Sequence, residues 1–285
     1  MLRVVVVALV ACGLLAADVR AATVSVDPTR FGQRVPRSFF GLSVEWDSLV
    51  PYAGRDGRRA AALERLLAPI ARSQGGLSLR VGGNSGDSAW WNPEGRRKPR
   101  TVLHDVTPRT LDAANAVSGA LGRGPVTLGL NLALRDPANA RTLVDEARRR
   151  FELDAVELGN EPDLYTAAKT FRVPGAVHRR VRKHARYGPA AYGRDVARYM
   201  AALKDGPRFS VGGFARPFWW SSLPGLLDRW QDRAGILAVH MYALPYCDAK
   251  PPPASWLMTR EASRGLAAKI RPIARLARHR GLSLR

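Results

Sequence analysis

The stretch Ala155-Val156-Glu157-Leu158-Gly159-Asn160-Glu161-Pro162-Asp163-Leu164-Tyr165 decides how the rest of the chain is read. It opens as a short apolar strand and runs into a turn rich in carboxylates, with an amide among them. Side chains alternate along a strand, which puts Glu157, Gly159 and Glu161 on one face. Pro162 has no N–H for a sheet ladder and biases Glu161 toward extended backbone, so the strand is expected to end there. A glutamate at the C-terminal tip of a strand, preceded by an asparagine, suits a group that meets a ligand above a parallel barrel. Read alone, the same residues also make an ordinary solvated acidic loop, and a short motif counts only when its context agrees.

Working outward, a strand–helix rhythm runs from Pro36 onward. Near-continuous apolar runs predict strands over 38–45, 77–83, 126–134, 155–160, 209–214 and 236–243, each with the character of a strand buried on both faces. Helical patterns fill the gaps over 58–72, 107–121, 136–150, 192–203, 224–230 and 255–278. Thr107-Pro108 and Asp136-Pro137 each join a capping residue to a proline at the first helical position. Pro272 is expected to kink or divide the last helix. The alternation argues for an α/β fold, a parallel sheet wrapped by helices. A seventh strand opens over 282–285. A (β/α)8 TIM barrel needs eight strands, so the expectation is such a barrel cut within strand seven. Residues 23–37 read as an N-terminal strand at 23–26 with a Pro-bounded connector, and 38–285 as the partial barrel. The one shift in composition is a long basic loop, Lys169 to Arg186, after the Asn-Glu-Pro turn.

The composition is that of a globular protein: 46% of 285 residues are hydrophobic and 24% charged. The formal net charge of +21 is unusual. Arginines are spread over nearly every segment rather than gathered on one face, which argues against a nucleic-acid interface. Biased codon usage is the favoured reading of the charge; the weaker, functional one is that the summed field attracts polyanionic substrates. At the N-terminus a short basic region is followed by an apolar run, Val4 to Ala17, of signal-peptide length and too short to span a bilayer comfortably. Val19-Arg20-Ala21 offers a cleavage site, so 1–22 reads as a signal peptide for secretion to the periplasm, cell surface or exterior. Leu9-Val10-Ala11-Cys12 also resembles a lipoprotein signal that would lipidate Cys12, but the apolar run continues through Leu14, Leu15 and Ala17, which favours plain secretion. Once Cys12 leaves with the signal, Cys247 stands alone, which removes an intramolecular disulfide and a cysteine metal site.

If the strands close into a barrel, their C-terminal ends share one mouth. Strand one ends at Ser43-Val44-Glu45-Trp46-Asp47, and strand two at Gly82-Gly83-Asn84-Ser85-Gly86-Asp87 with Trp90-Trp91 after it. Strand three holds Asn131, strand four Asn160-Glu161, and strand six His240-Met241-Tyr242, then Tyr246. Carboxylates, amides, a histidine and aromatic rings suit a sugar, whose hydroxyls need paired polar partners and whose C–H faces stack on rings. Each residue also has a plain structural reading. Glu45 could cap a loop, Asn84 and Asp87 could be turn residues, His240 a core histidine, and Trp90 and Trp91 lid packing. Polar groups at successive strand ends are harder to explain as accidents. No Gly-x-Ser-x-Gly elbow, His-Glu-x-x-His or phosphate loop is present, and no histidine pair has metal spacing.

The runs Phe40-Gly41-Leu42-Ser43-Val44-Glu45, Leu79-Arg80-Val81-Gly82-Gly83-Asn84, Glu157 to Tyr165 and His240-Met241-Tyr242 resemble glycoside hydrolase family 79. That family contains heparanase and bacterial β-glucuronidases, retaining clan A enzymes built on (β/α)8 barrels with an added β-sandwich. The Asn-Glu-Pro is shared across the clan, and the other runs narrow the likeness. The resemblance implies Glu161 as general acid/base, Asn160 on the sugar 2-hydroxyl, and His240 and Tyr242 beside the nucleophile. Glu45, Asn84, Asp87 and Asn131 are further candidates for sugar contact. It implies a nucleophilic glutamate at the end of strand seven, a few residues beyond Arg285, and a C-terminal sandwich, both expected to be missing from these residues, which are therefore expected to be inactive alone. The implied partner is a carbohydrate, a uronic-acid glycan in the first reading, with no nucleic acid, no membrane span, no metal and no organic cofactor. The alternatives are another clan A enzyme, a β-glycanase or arabinofuranosidase, and a glycan-binding protein without catalysis. Glu157, deeper in the barrel than Glu161, is expected to be structural, with Arg80 as its partner.

Overall fold

The computed structural model describes residues 25–32, 35–37, 39–54, 58–166, 184–230, 232–243 and 252–285, and the backbone of 169–171 and 179–181. The expected signal peptide, Cys12, Tyr246 and Cys247 lie outside the described residues, as do Thr23 and Val24 of the expected first strand; Ser25 and Val26 lie in no strand. The chain divides after Val35, and the unit from Pro36 to Arg285 holds every element named below.

Seven strands follow one another around a single parallel sheet: β1 (Gly41–Glu45), β2 (Ser78–Gly82), β3 (Val126–Leu130), β4 (Ala155–Leu158), β5 (Arg208–Phe214), β6 (Ala234–Val239) and β7 (Ser283–Leu284). The helices between them are α1 (Leu49–Ala53), α2 (Arg58–Gln74), α3 (Pro108–Ala120), α4 (Pro137–Arg148), α5 (Pro189–Ala202), α6 (Leu223–Trp230) and α7 (Leu266–His279). Every main-sheet pairing is parallel, and spatial order equals chain order. With right-handed crossovers throughout, sequential order puts every helix on one face of the sheet. The opposite face is then covered only if the sheet curls on itself, as in a barrel.

Arg285, just past β7, shows the curl. It donates to the Thr127 hydroxyl on β3 at 2.9 Å and to Asp154, at the foot of β4, at 2.7 Å. β3 and β7 are four places apart, about 19 Å in a flat sheet at roughly 4.8 Å per strand, beyond an arginine's reach. Among the described residues β1 and β7 are the two edges and do not pair with each other.

Alternation sorts the faces. Val44, Leu79, Val81, Val126, Leu128, Leu130, Val156 and Leu158 are buried in the apolar layer beneath the helices. The other parity is polar: the register sets Ser43 beside Arg80, Arg80 beside Thr127, and Glu157 beside Ser210. This inner polar wall carries the candidate site.

The helix starts follow local chemistry. Thr107 and Thr110 form a reciprocal capping box ahead of α3, and Asp136 accepts the Asn139 N–H at 3.0 Å ahead of α4. α5 starts at Pro189, three residues before the apolar periodicity that predicts Tyr192. Pro272 sits inside α7 and does not divide it. The break falls earlier, at Thr259, whose extended backbone and hydroxyl, accepting the Ala262 N–H at 3.2 Å, begin a new helical turn.

Candidate functional site

Several expected strands end early. The expected run to Asn160 stops at Leu158, and the run to Ala243 stops at Val239. In β4 the cause is visible: Gly159 has φ +79° and Glu161 φ +48°, ψ +56°. Glu161 is left-handed rather than extended, contrary to the expectation drawn from Pro162. Its N–H donates to the Gly213 carbonyl at 3.0 Å, and its own carbonyl accepts the Leu164 N–H at 2.9 Å, closing a 3-10 turn over Pro162–Leu164. Left-handed backbone costs a β-carbon residue roughly 1–2 kcal/mol. The two bonds hold it there, and strand alternation no longer aims Glu161.

A cleft of about 320 Å³ opens at this end of the sheet, lined by Ser43, Glu45, Arg80, Gly83, Asn84, Asn160, Glu161 and the segment Val239 to Tyr242. Glu161, Asn160, Glu45, Asn84, His240 and Tyr242 are therefore brought together. The Glu161 Oε1 lies 3.3 Å from His240 Nδ1, with both side chains mostly buried. Tyr242 is 73% exposed at the rim.

Arg80 organises the floor. It grips Glu157 through Nε (2.5 Å) and Nη2 (2.7 Å), and also donates to Asn160 Oδ1 (2.9 Å) and Ser43 Oγ (3.0 Å). Burial alone would lower the arginine's pKa, but Glu157, then Glu45 and Glu161, raise it. The expected Glu157–Arg80 pair is thus present. With its oxygen on Arg80, the Asn160 amide turns its NH2 toward Asn84 Oδ1, 3.4 Å away. Glu45 spans the N–H groups of Asn84 (3.0 Å) and Ser85 (2.6 Å). A Cβ on Gly83 would meet the Glu45 Oε1 at 2.3 Å, so only glycine lets that carboxylate sit on the turn.

Two expected contact residues lie elsewhere. Asp87 is 1% exposed; it accepts the Tyr165 hydroxyl at 2.6 Å and the Asn160 N–H at 2.9 Å. It therefore positions the Asn160–Glu161 turn from beneath instead of reaching the cleft. Burial, then the Asp87 charge, pushes the Tyr165 hydroxyl well above its usual range, so this proton stays on the bond. Asn131 spends its amide on backbone, donating to the Ala89 carbonyl and accepting the Leu134 N–H, both at 2.9 Å. Trp91 is buried in the core, and Trp90 donates to Asp136, so neither lines the cleft.

Ser43, expected at the mouth, lines the cleft, and so does Arg80, which the sequence marks only as the Glu157 partner. Inward parity on β1 and β2 is the signal that marks them. Asp163 also supports the turn, accepting the N–H groups of Ala215 and Arg216 at 3.0 Å each. The basic segment forms an antiparallel pair, Lys169–Phe171 with Arg179–Val181. Its base is tied by the His184 N–H to the Tyr165 carbonyl at 3.1 Å. Among the described residues no cluster of three or more His, Cys, Asp or Glu could hold a metal ion, and no helix is long and apolar enough to cross a membrane.

No protein-family model and no curated protein matches the chain. Among the solved structures that match is the catalytic domain of the GH30 xylanase C from Talaromyces cellulolyticus, at 12% identity and a TM-score of 0.43. That alignment covers 72% of this chain and 53% of the other, so the chain spans about half the length of the structure it matches.

Proposed function

We propose that this protein is a glycoside hydrolase in which Glu161 is the general acid/base. One observation carries the reading: Glu161 is held in left-handed backbone at a strand tip, with its carboxyl in a cleft beside two amides, a histidine and an exposed tyrosine ring. Backbone strain of this kind persists where the surroundings over-determine it, which happens most often at sites that must aim a group.

A carboxyl so placed can give its proton to the oxygen of a departing alcohol. The O–H bond on Glu161 breaks and a new one forms on the leaving group as the C1–O bond parts; in the retaining course a second carboxylate bonds C1 and is then displaced by water, whose proton returns to the Glu161 carboxylate. Asn160, its oxygen engaged by Arg80, presents N–H to a sugar hydroxyl oxygen. Tyr242 offers a ring face to sugar C–H groups. The retaining course and a β-glucuronide-type substrate are proposed on the resemblance to family 79. The net charge of +21 supports attraction of anionic glycans.

A second reading has its own support. Arg80 is the one arginine or lysine lining the described cleft, and its guanidinium is committed to Glu157, Asn160 and Ser43. That favours a neutral sugar, hence a β-glycanase or arabinofuranosidase of the same clan.

A panel of aryl β-glucuronides, β-xylosides and α-arabinofuranosides separates the readings. Release of the aryl alcohol from the glucuronide alone supports the first, and release from the pentosides alone supports the second. Saturable binding of every sugar without release from any, in a chain that also carries the second carboxylate the retaining course needs, would make the protein a glycan-binding module and overturn the acid/base role.

A further inference from the structure

The last helical segment carries a feature that the cleft chemistry does not use. Residues 252–285 hold a single carboxylate, Glu261, against eight lysines and arginines. At 100° per residue, Arg271, Arg275 and Arg278 fall within about 60° of one another on the outer face of α7. Arg264, seven residues before Arg271, extends the line to about 21 Å at 1.5 Å per residue. Arg264, Arg271, Arg275 and Arg278 are exposed. Among the described residues none of the four forms an ion pair; by contrast Arg280, at the helix end, lies 2.7 Å from Asp228. The opposite face of the helix, Ile273 and Ala277, is packed into the core. The arginines therefore point outward as a fixed row.

A second feature adjoins the row. The 3-10 turn Ala254–Met258, just before α7, leaves Leu257 48% and Met258 83% exposed. The turn is anchored by the Trp256 indole N–H, which donates to the Ala243 carbonyl at 3.1 Å. Two large apolar side chains held out at the end of an unpaired arginine row form a two-part signature. The apolar pair enters the acyl boundary, while the cations meet anionic headgroups. A soluble polysaccharide or a nucleic acid would use the charge but would have no call on Leu257 and Met258.

We propose that the outer face of α7, with Leu257 and Met258, docks this protein peripherally on an anionic phospholipid surface. The proposal is independent of what the cleft does.

Co-sedimentation with phosphatidylcholine vesicles, with and without about one third phosphatidylserine, tests it at roughly physiological salt. Binding is expected on the anionic vesicles only. Each arginine near such a surface is expected to change the partition coefficient about five-fold. The variant with Arg264, Arg271, Arg275 and Arg278 all changed to glutamine should therefore lose most binding. A matched variant with the exposed Arg65, Arg109, Arg194 and Arg229 changed to glutamine removes the same charge from other faces and should keep most of it. Leu257→Ser with Met258→Ser should weaken binding with the charge untouched. Equal losses in the two four-arginine variants would show a response to net charge alone and overturn the proposal. So would full binding by the serine variant, absence of binding to anionic vesicles, or retention on a sulfated polysaccharide resin without vesicle binding.

Discussion

Glu161 sits in a conformation that costs free energy, and its neighbours hold it there. Beneath it, Glu157 and Arg80 form a pair whose loss can be measured: Glu157→Gln leaves the Arg80 charge without its bidentate partner and should cost about 3–5 kcal/mol by chemical denaturation. Joint replacement of Arg80 by Met and Glu157 by Leu should recover much of that; no recovery would mean that the ion pair itself is the stabilising element. Asp163 supplies a pH signature. Burial holds its carboxyl above the usual 3.8, against the N–H groups of Ala215 and Arg216, and the Glu161 charge adds to the rise. The folded state thus holds this proton more tightly than the unfolded chain. The stability it contributes is full below pH 3.8 and is lost as pH rises through the raised folded value. The stability of wild type relative to Asp163→Asn should therefore decline as pH rises from below 3.8 through the raised folded value in denaturant titrations; parallel curves would contradict the burial effect. Glu157 and its partner were legible in the sequence, because a carboxylate on an inward strand position needs a cation. Asp87 was not. A Gly-rich run reads as an exposed turn, and only the arrival of Asn160 and Tyr165 from β4 buries it.

At the scale of elements, apolar runs located all seven strands, and proline-led caps located α3 and α4. The strand ends were less legible, because apolar residues continue past the last ladder bond. Leu132 is fully buried two residues beyond β3, in a turn that the pattern reads as strand. α5 begins at Gly188-Pro189 in the same proline-led way, but its first turn lacks the apolar period. The turns that join helices to strands are tightly built. A Cβ on Gly76, at φ +93°, would meet the Gly122 carbonyl and the Gly124 nitrogen at 2.7 Å each. Those are backbone atoms of the next helix-to-strand turn and cannot step aside. Gly76→Ala should therefore cost about 1–3 kcal/mol and lower the thermal midpoint by several degrees in calorimetry. Gly225→Ala, inside α6 with open space around the Cβ and no positive φ, should leave the midpoint at or above wild type. Equal midpoints for the two variants would refute this packing account.

For the molecule as a whole, sequential parallel order and the reach of Arg285 to Thr127 and Asp154 make one curled sheet with a polar inner wall. That wall was half-written in the sequence: alternation names its inward residues, but only the curl brings β1, β2, β4 and β6 to a common cleft. The central claim is that the carboxyl raised at this mouth gives its proton to a leaving sugar oxygen. The measurement that tests it most directly compares, in a chain that also carries the second carboxylate of the retaining course, wild-type Glu161 and Glu161→Gln across aryl glycosides whose phenols range from weakly to strongly acidic. For weakly acidic phenols, which depend on protonation to leave, the variant should be slower by about 10²–10⁴-fold; for strongly acidic phenols the deficit should shrink toward parity. The same loss at every phenol, or a variant as fast as wild type throughout, would contradict the assignment of Glu161 as the acid.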